Sequence, residues 1–175
     1  MKLDFLTGLA SIAVLLNAGA LSAANAPHKS VKQVVVSLNP TKGFEATGTV
    51  TFIAIPGGVR IIADVNGLSP GKHGFHIHEK GDCSAPDGLS AGGSFNPTHT
   101  RHGGPDSAQR HVGDLGNLVA NSRGHAYYDR IDSIIGLEGP NSIIGRSVIV
   151  HANEDDYKTQ PDGNSGANVA CGPIQ

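Results

Sequence analysis

Residues 48–65, GTVTFIAIPGGVRIIADV, decide the fold. Two runs rich in β-branched side chains, 48–55 and 59–65, flank Pro56-Gly57-Gly58. Such side chains are stiff at χ1 and pack well on a pleated surface, whereas Pro and Gly supply turn geometry. The stretch predicts an antiparallel pair of strands, ended downstream by Asn66-Gly67. Upstream, VKQVVVSL at 31–38 reads as a third strand of the same meander. Downstream, strand character returns at 73–78, 113–120, 126–131 and 147–151. Two long stretches, 79–109 and 155–167, are dense in Gly, Pro, Asn, Asp and Ser, and loops of that length inside a domain usually carry function. Beyond the N-terminal segment no stretch shows helical periodicity. The expectation is an all-β Greek-key β-sandwich or flattened barrel over 31–175, with about eight antiparallel strands and two long functional loops.

The bulk numbers agree. A chain of 175 residues suits a single core, and 24 Gly and 10 Pro without a repeat imply many turns. A formal charge of −2 argues against nucleic acid or an anionic membrane surface as partner. The N-terminus has Lys2, an apolar run over 5–21, then Ser22, Ala23, Ala24 and Ala26. That order predicts a secretory signal peptide over 1–24, cleaved near Ala24, and a short arm over 25–30. Gly8, Ser11, Asn17 and Gly19 weaken the alternative of an uncleaved membrane anchor. The expected location is therefore periplasmic or secreted, with no membrane association after cleavage. Cys83 and Cys171 are the two cysteines of the chain. As residues they are compatible with one disulfide, two free thiols or metal ligation, and neither lies in a CxxC pair.

Histidine is the outlier: six of the nine fall between His73 and His111. In His76-Ile77-His78 the two imidazoles share one face of a strand and can reach one metal ion. His73 has the opposite parity and reads as a packed or hydrogen-bonded histidine. His102, His111 and Asp114, in RHGGPDSAQRHVGD, are a donor set that suits zinc. His151 closes the apolar run SVIVH beside a long loop, where it can join a site from a neighbouring strand.

The successive motifs GKHGFHIHEKGDC, AGGSFNP, RHGGPDSAQRHVGDLGN, GRSVIVHANEDD and GNSGANVACGPI resemble those of the copper–zinc superoxide dismutase family, in order and with matching gaps. The DCS setting of the first cysteine is similar to the bacterial exported branch. The resemblance implies copper on His76, His78 and His151, and zinc on His102, His111 and Asp114. It also implies a Cys83–Cys171 disulfide and a linking role for Asp155 between the two sites. The implied partner is superoxide, and members are either monomers or homodimers. Two positions depart from the family pattern. Ser94 stands where AGGHFNP has the histidine that bridges the metals, and Asn168 stands where an arginine guides the anion. His99, in the same loop, is either a replacement nitrogen or an exposed loop histidine. The expectation is an exported dismutase with reduced activity. The alternatives are a copper- and zinc-binding protein without significant turnover, and a structural sandwich with decayed sites.

Overall fold

The computed structural model describes residues 32–175. The expected signal peptide and arm, 1–24 and 25–30, lie outside the described residues. The deciding hairpin is formed by β2 (Thr47–Ile55) and β3 (Gly58–Asn66), paired without a slip from Thr47 opposite Asn66 to Ile55 opposite Gly58. On β3, Val59, Ile61, Ala63 and Val65 are buried while Arg60 and Asp64 are exposed, the period-two pattern of a half-buried strand. β1 (Gln33–Pro40) pairs with β2, and β6 (Ala126–Asp132) pairs with β3. A second group is built from β5 (Asp114–Ala120), β4 (Gly71–His78), β7 (Ser147–His151) and β8 (Asn168–Pro173).

β1 joins the two groups. It leaves β2 after Leu38, and its last residues, Asn39 and Pro40, pair with Cys171 and Ala170 of β8. All strand pairs are antiparallel, and the order β5-β4-β7-β8-β1-β2-β3-β6 makes a nearly closed barrel. Phe52, Ile61, Phe75, Ile77, Leu115, Leu118 and Val148 fill the space between the sheets. Among the described residues no helix is long and apolar enough to cross a membrane.

Three details differ from the expected layout. β8 had no strand signal of its own, because NVACGP is short and made mostly of small residues; burial between β7 and β1 makes it a strand. The first long loop contains one turn of 3-10 helix, Leu89–Ala91. A third long connection, 133–146, joins β6 to β7 and buries Ile135, Leu137 and Ile143 in the core.

β4 positions the candidate site. Phe75 and Ile77 enter the core, while His76 and His78 point to the other side and are buried beneath the loops. Three backbone hydrogen bonds tie these segments in a ring. Ile77 N–H donates to Gly113 O at 2.9 Å, Phe95 N–H to Ile77 O at 2.8 Å, and Gly113 N–H to Phe95 O at 2.9 Å. Cys83 and Cys171 form a disulfide with Cα atoms 5.8 Å apart, fastening the first loop to β8. On the chain-entropy account such a link across 88 residues is worth about 4–5 kcal/mol.

Arg110 adds a buried clamp. Its guanidinium pairs with Asp132 of β6 and donates to the carbonyls of His111, Val112 and Asp114. Asp132 in turn accepts the amides of Ile134 and Ile135. Breaking one side of a buried pair of this kind typically costs about 3–5 kcal/mol.

The ring of hydrogen bonds leaves no room for a side chain at Gly113, where a Cβ would overlap the Ile77 carbonyl oxygen. Gly113→Ala is expected to lower unfolding free energy by about 2–4 kcal/mol in urea titrations. An unchanged midpoint would show that the ring does not hold these segments.

Candidate metal centre

His76 and His78 come from β4, and His151 ends the neighbouring β7. One ring nitrogen of each lies within 4.8 Å of the other two. Each ring uses its other nitrogen as a donor. His78 Nδ1 donates to Gly92 O at 2.7 Å, His151 Nδ1 to Gly166 O at 3.3 Å, and His76 Nε2 to Asp155 Oδ2 at 2.9 Å. These partners fix the tautomers and leave lone pairs on His78 Nε2, His151 Nε2 and His76 Nδ1. His78 Nε2 is buried without a partner. His76 Nδ1 and His151 Nε2 stand 3.1 Å apart, and with both rings neutral in these tautomers their lone pairs face each other. Two neutral imidazoles repel in that arrangement unless they share a cation. The spacing is close to that of two nitrogens on one ion with bonds of about 2.0–2.1 Å.

The second set lies beside it. His102 Nδ1 is 3.0 Å and His111 Nδ1 3.3 Å from the same oxygen, Asp114 Oδ1. All three atoms are buried, and none has a partner in hydrogen-bond geometry. The other oxygen, Asp114 Oδ2, accepts the amides of Gly103 at 3.1 Å and His111 at 2.8 Å, which aims Oδ1 at the imidazoles. Buried polar atoms are rarely left without partners. Three of them converging as N, N and O form the donor set of a zinc ion. One donor atom from each of His76, His102 and Asp114 also falls within a 4.8 Å group, so the two sets adjoin.

Asp155 spans the boundary. Its Oδ2 holds His76 as above, and its Oδ1 accepts His102 Nε2 at 2.8 Å and the Tyr157 amide at 2.7 Å. Its own backbone is gripped by Asn117, whose side chain accepts Asp155 N–H at 2.8 Å and donates to Asp155 O at 3.0 Å. Burial works against charge on Asp155, but the hydrogen bonds from His102, His76 and the Tyr157 amide hold it down to about 2. Burial likewise opposes charge on Asp114, yet His102 and His111 hold it well below the usual carboxylate range. Burial also disfavours charge on His102, but Asp114 and Asp155 on either side outweigh it and push His102 up to about 10. The carboxylates thus call for positive charge at the second set, as a proton or a metal ion. His78 is different: burial pulls it down to about 4, and burial also holds His151 well below the usual imidazole range, so both favour the neutral form.

Ser94 and Asn168, the two positions expected from the sequence to depart from the resembled motifs, sit together. Ser94 forms an isolated bridge with His78, and Asn168 opens β8. Both line a cleft of about 370 Å³ with His78, His111, His151 and Asp162. Asn168 is 7% exposed. Its backbone carbonyl accepts Thr41 Oγ1 at 2.6 Å, while its side-chain Nδ2 is buried without a partner. His99 is exposed and takes a positive φ of 52°, apart from both donor sets. His73 is buried, with ring nitrogens 2.8 Å from the carbonyls of His151 and Ser69.

Asp155 apart, sequence reasoning did not find the orienting groups. Gly92 and Gly166 act through backbone carbonyls and carry no side-chain signal. Arg110 and Asn117 do carry one, since they open and close the motif RHVGDLGN. Gln160 grips the backbone of His102 from the second loop, accepting its N–H at 2.9 Å and donating to its carbonyl at 3.2 Å.

Two adjoining buried donor sets, one of three histidines and one of two histidines and an aspartate, define a β-sandwich metalloprotein with two metal centres. Residues 46–174 match the family described as "Copper/zinc superoxide dismutase (SODC)", and the chain belongs to that family. It is 45% identical over 154 residues to a copper–zinc superoxide dismutase of Paramecium bursaria Chlorella virus 1, covering 83% of this chain and 79% of that one. It is 40% identical over 173 residues to an extracellular copper–zinc superoxide dismutase of Drosophila melanogaster, covering 93% and 95%. The crystal structure of the clock protein EA4 superposes with a TM-score of 0.74 at 42% identity, covering 82% of this chain and 94% of that chain. Copper and zinc are the cofactors of the family, and the two donor sets fit them.

Gly163 packs against the link between the sets, and a Cβ there would overlap Asp155 Oδ1. Gly163→Ala and Asp155→Asn are each expected to weaken zinc binding about 10–100-fold, read by competition with a chromophoric chelator. Wild-type zinc affinity in both variants would remove Asp155 from its orienting role.

Proposed function

We propose that this protein is an exported superoxide dismutase that converts superoxide to dioxygen and hydrogen peroxide more slowly than a complete family member. In this reading His76, His78 and His151 hold copper, and His102, His111 and Asp114 hold zinc. The mature domain begins near Asn25, after a cleaved signal peptide. The observation that carries the reading is the convergence of two sets of buried lone pairs, each ring turned by a hydrogen bond on its far side.

Copper held there supplies a one-electron redox couple for alternate oxidation and reduction of superoxide, and zinc supplies a fixed positive charge. The chain's own residues orient and gate. Gly92 O, Gly166 O and Asp155 keep each imidazole in the tautomer that presents its lone pair. Ser94 has no imidazole with which to link the two sites or carry a proton between them, so that proton comes from solvent in the cleft. Asn168 has an amide where a guanidinium would attract the anion, so capture loses its local steering charge. Relatives from Drosophila melanogaster, Brugia pahangi and Caenorhabditis elegans named extracellular support export.

The second reading is a metal-binding protein without significant turnover. Ser94 and Asn168 favour it, because both replace residues that serve chemistry more than folding. One comparison separates the two: superoxide removal per bound copper in the natural protein and in the Ser94→His/Asn168→Arg double variant, with both metals quantified. The natural protein is expected to turn over at a rate about ten-fold or more below the double variant. Equal rates would refute the impairment. Full copper occupancy with no turnover, restored by the double variant, would establish the second reading.

A further inference from the structure

Tyr157 follows Asp155 by two residues and belongs to neither donor set. It takes a positive φ of 63°, in the left-handed region that a bulky side chain rarely enters. Such an angle persists only where the surroundings over-determine it. Here Asp156 closes the turn. Its Oδ1 accepts the amides of Lys158 and Thr159, each at 2.8 Å, and its Oδ2 accepts Thr159 Oγ1 at 2.6 Å. At this angle the Tyr157 amide donates to Asp155 Oδ1 at 2.7 Å while the side chain lies over the first loop.

That side chain makes two attachments. The ring is 39% exposed, and its covered face packs on Gly104, where a Cβ would stand 3.1 and 3.2 Å from Cγ and Cδ2. Gly104 lies just past His102, and Gly103 between them donates to Asp114 Oδ2 at 3.1 Å. The phenol oxygen lies beside Gly116 and accepts Asn117 Nδ2 at 2.9 Å. An asparagine amide offers two N–H donors and one carbonyl oxygen. Asn117 gives its other N–H to Asp155 O at 3.0 Å, and its oxygen accepts Asp155 N–H at 2.8 Å. The Tyr157 hydroxyl thus supplies the one partner for this amide that Asp155 does not. A single tyrosine bonds the carboxylate that links the donor sets, bonds the amide that grips the backbone of that carboxylate, and packs on the segment that carries His102.

We infer that Tyr157 is a positioning residue for both metal centres: its side chain latches the second loop onto the first and thereby fixes Asp155 between His76 and His102. The inference rests on the metal-centre reading above and deepens it. Tyr157 is not itself a ligand; it acts through Asp155, Asn117 and Gly104. Asp155 holds one histidine of each donor set, so a shift of Asp155 is felt at both. A ring that merely covered surface would leave both metals untouched. Tyr157→Gly would then be harmless at the metal sites, because glycine adopts a positive φ without steric cost.

The test uses the mature protein loaded with copper and zinc. Zinc release is timed after mixing with an excess of chromophoric chelator, and the copper site is followed by electron paramagnetic resonance. Tyr157→Gly is expected to speed zinc release about ten-fold or more and to shift the copper spectrum, although its backbone suits the turn better. Tyr157→Phe keeps the ring and loses only the hydroxyl; it is expected to speed zinc release about three-fold. On an Asn117→Ala background the same Tyr157→Phe change is expected to add nothing, because the two groups act as one unit. The Tyr157→Phe comparison decides by itself where Tyr157→Gly does not fold. Natural zinc release and a natural copper spectrum in Tyr157→Gly would overturn the inference. Natural zinc release in Tyr157→Phe would overturn it too, as would an effect of that change undiminished on the Asn117→Ala background. A natural protein that takes up no zinc would overturn the metal-centre reading, and this inference with it.

Discussion

Asp155 is the constraint on which the centre depends. Its two oxygens reach His76 Nε2 and His102 Nε2, one histidine from each donor set, at 2.9 and 2.8 Å. A fully buried carboxylate is costly unless its hydrogen bonds are complete, and here they are supplied from several parts of the chain. β4 brings His76, the first loop brings His102, and the Tyr157 amide closes Oδ1. Asn117 of β5 holds the backbone beneath. The fold of the barrel thereby orients both sets of imidazoles.

The rest of the scaffold keeps that arrangement from relaxing. Neutral rings of His76 and His151 meet with lone pairs 3.1 Å apart, and three buried atoms around Asp114 have no hydrogen-bond partner. A free surface loop would rearrange to avoid this. Here the first loop is pinned by the Cys83–Cys171 disulfide, by the ring through Ile77, Phe95 and Gly113, and by Arg110 against Asp132. The second loop is pinned to the first by Gln160 on the backbone of His102. The stability of the barrel holds open sites that metal ions complete, so metal binding and folding reinforce one another.

Much of this was legible in the sequence, and the exceptions have physical reasons. The hairpin of β2 and β3 announced itself through β-branched alternation around Pro-Gly-Gly. HxH on a strand and the spacing of His102, His111 and Asp114 pointed to two donor sets. β8 was not legible, because a strand of Asn, Val, Ala, Cys and Gly takes its conformation from its neighbours and not from its own propensity. The carbonyls of Gly92 and Gly166 were invisible because any residue has a carbonyl; only the folded chain shows which imidazole each one meets. The Arg110–Asp132 clamp was also hidden, since it joins residues that only the barrel brings together. Ser94 and Asn168 were noticed through resemblance alone. That they share one wall of one cleft is a property of the fold.

The most direct test of two adjoining metal sites is anomalous diffraction at the copper and zinc absorption edges, from crystals of the mature protein loaded with both metals. Two separate peaks are predicted, copper bonded to His76, His78 and His151, and zinc bonded to His102, His111 and Asp114, with Asp155 between them and bonded to neither. A single shared peak, or metal bound away from these six residues, would contradict the two-site centre.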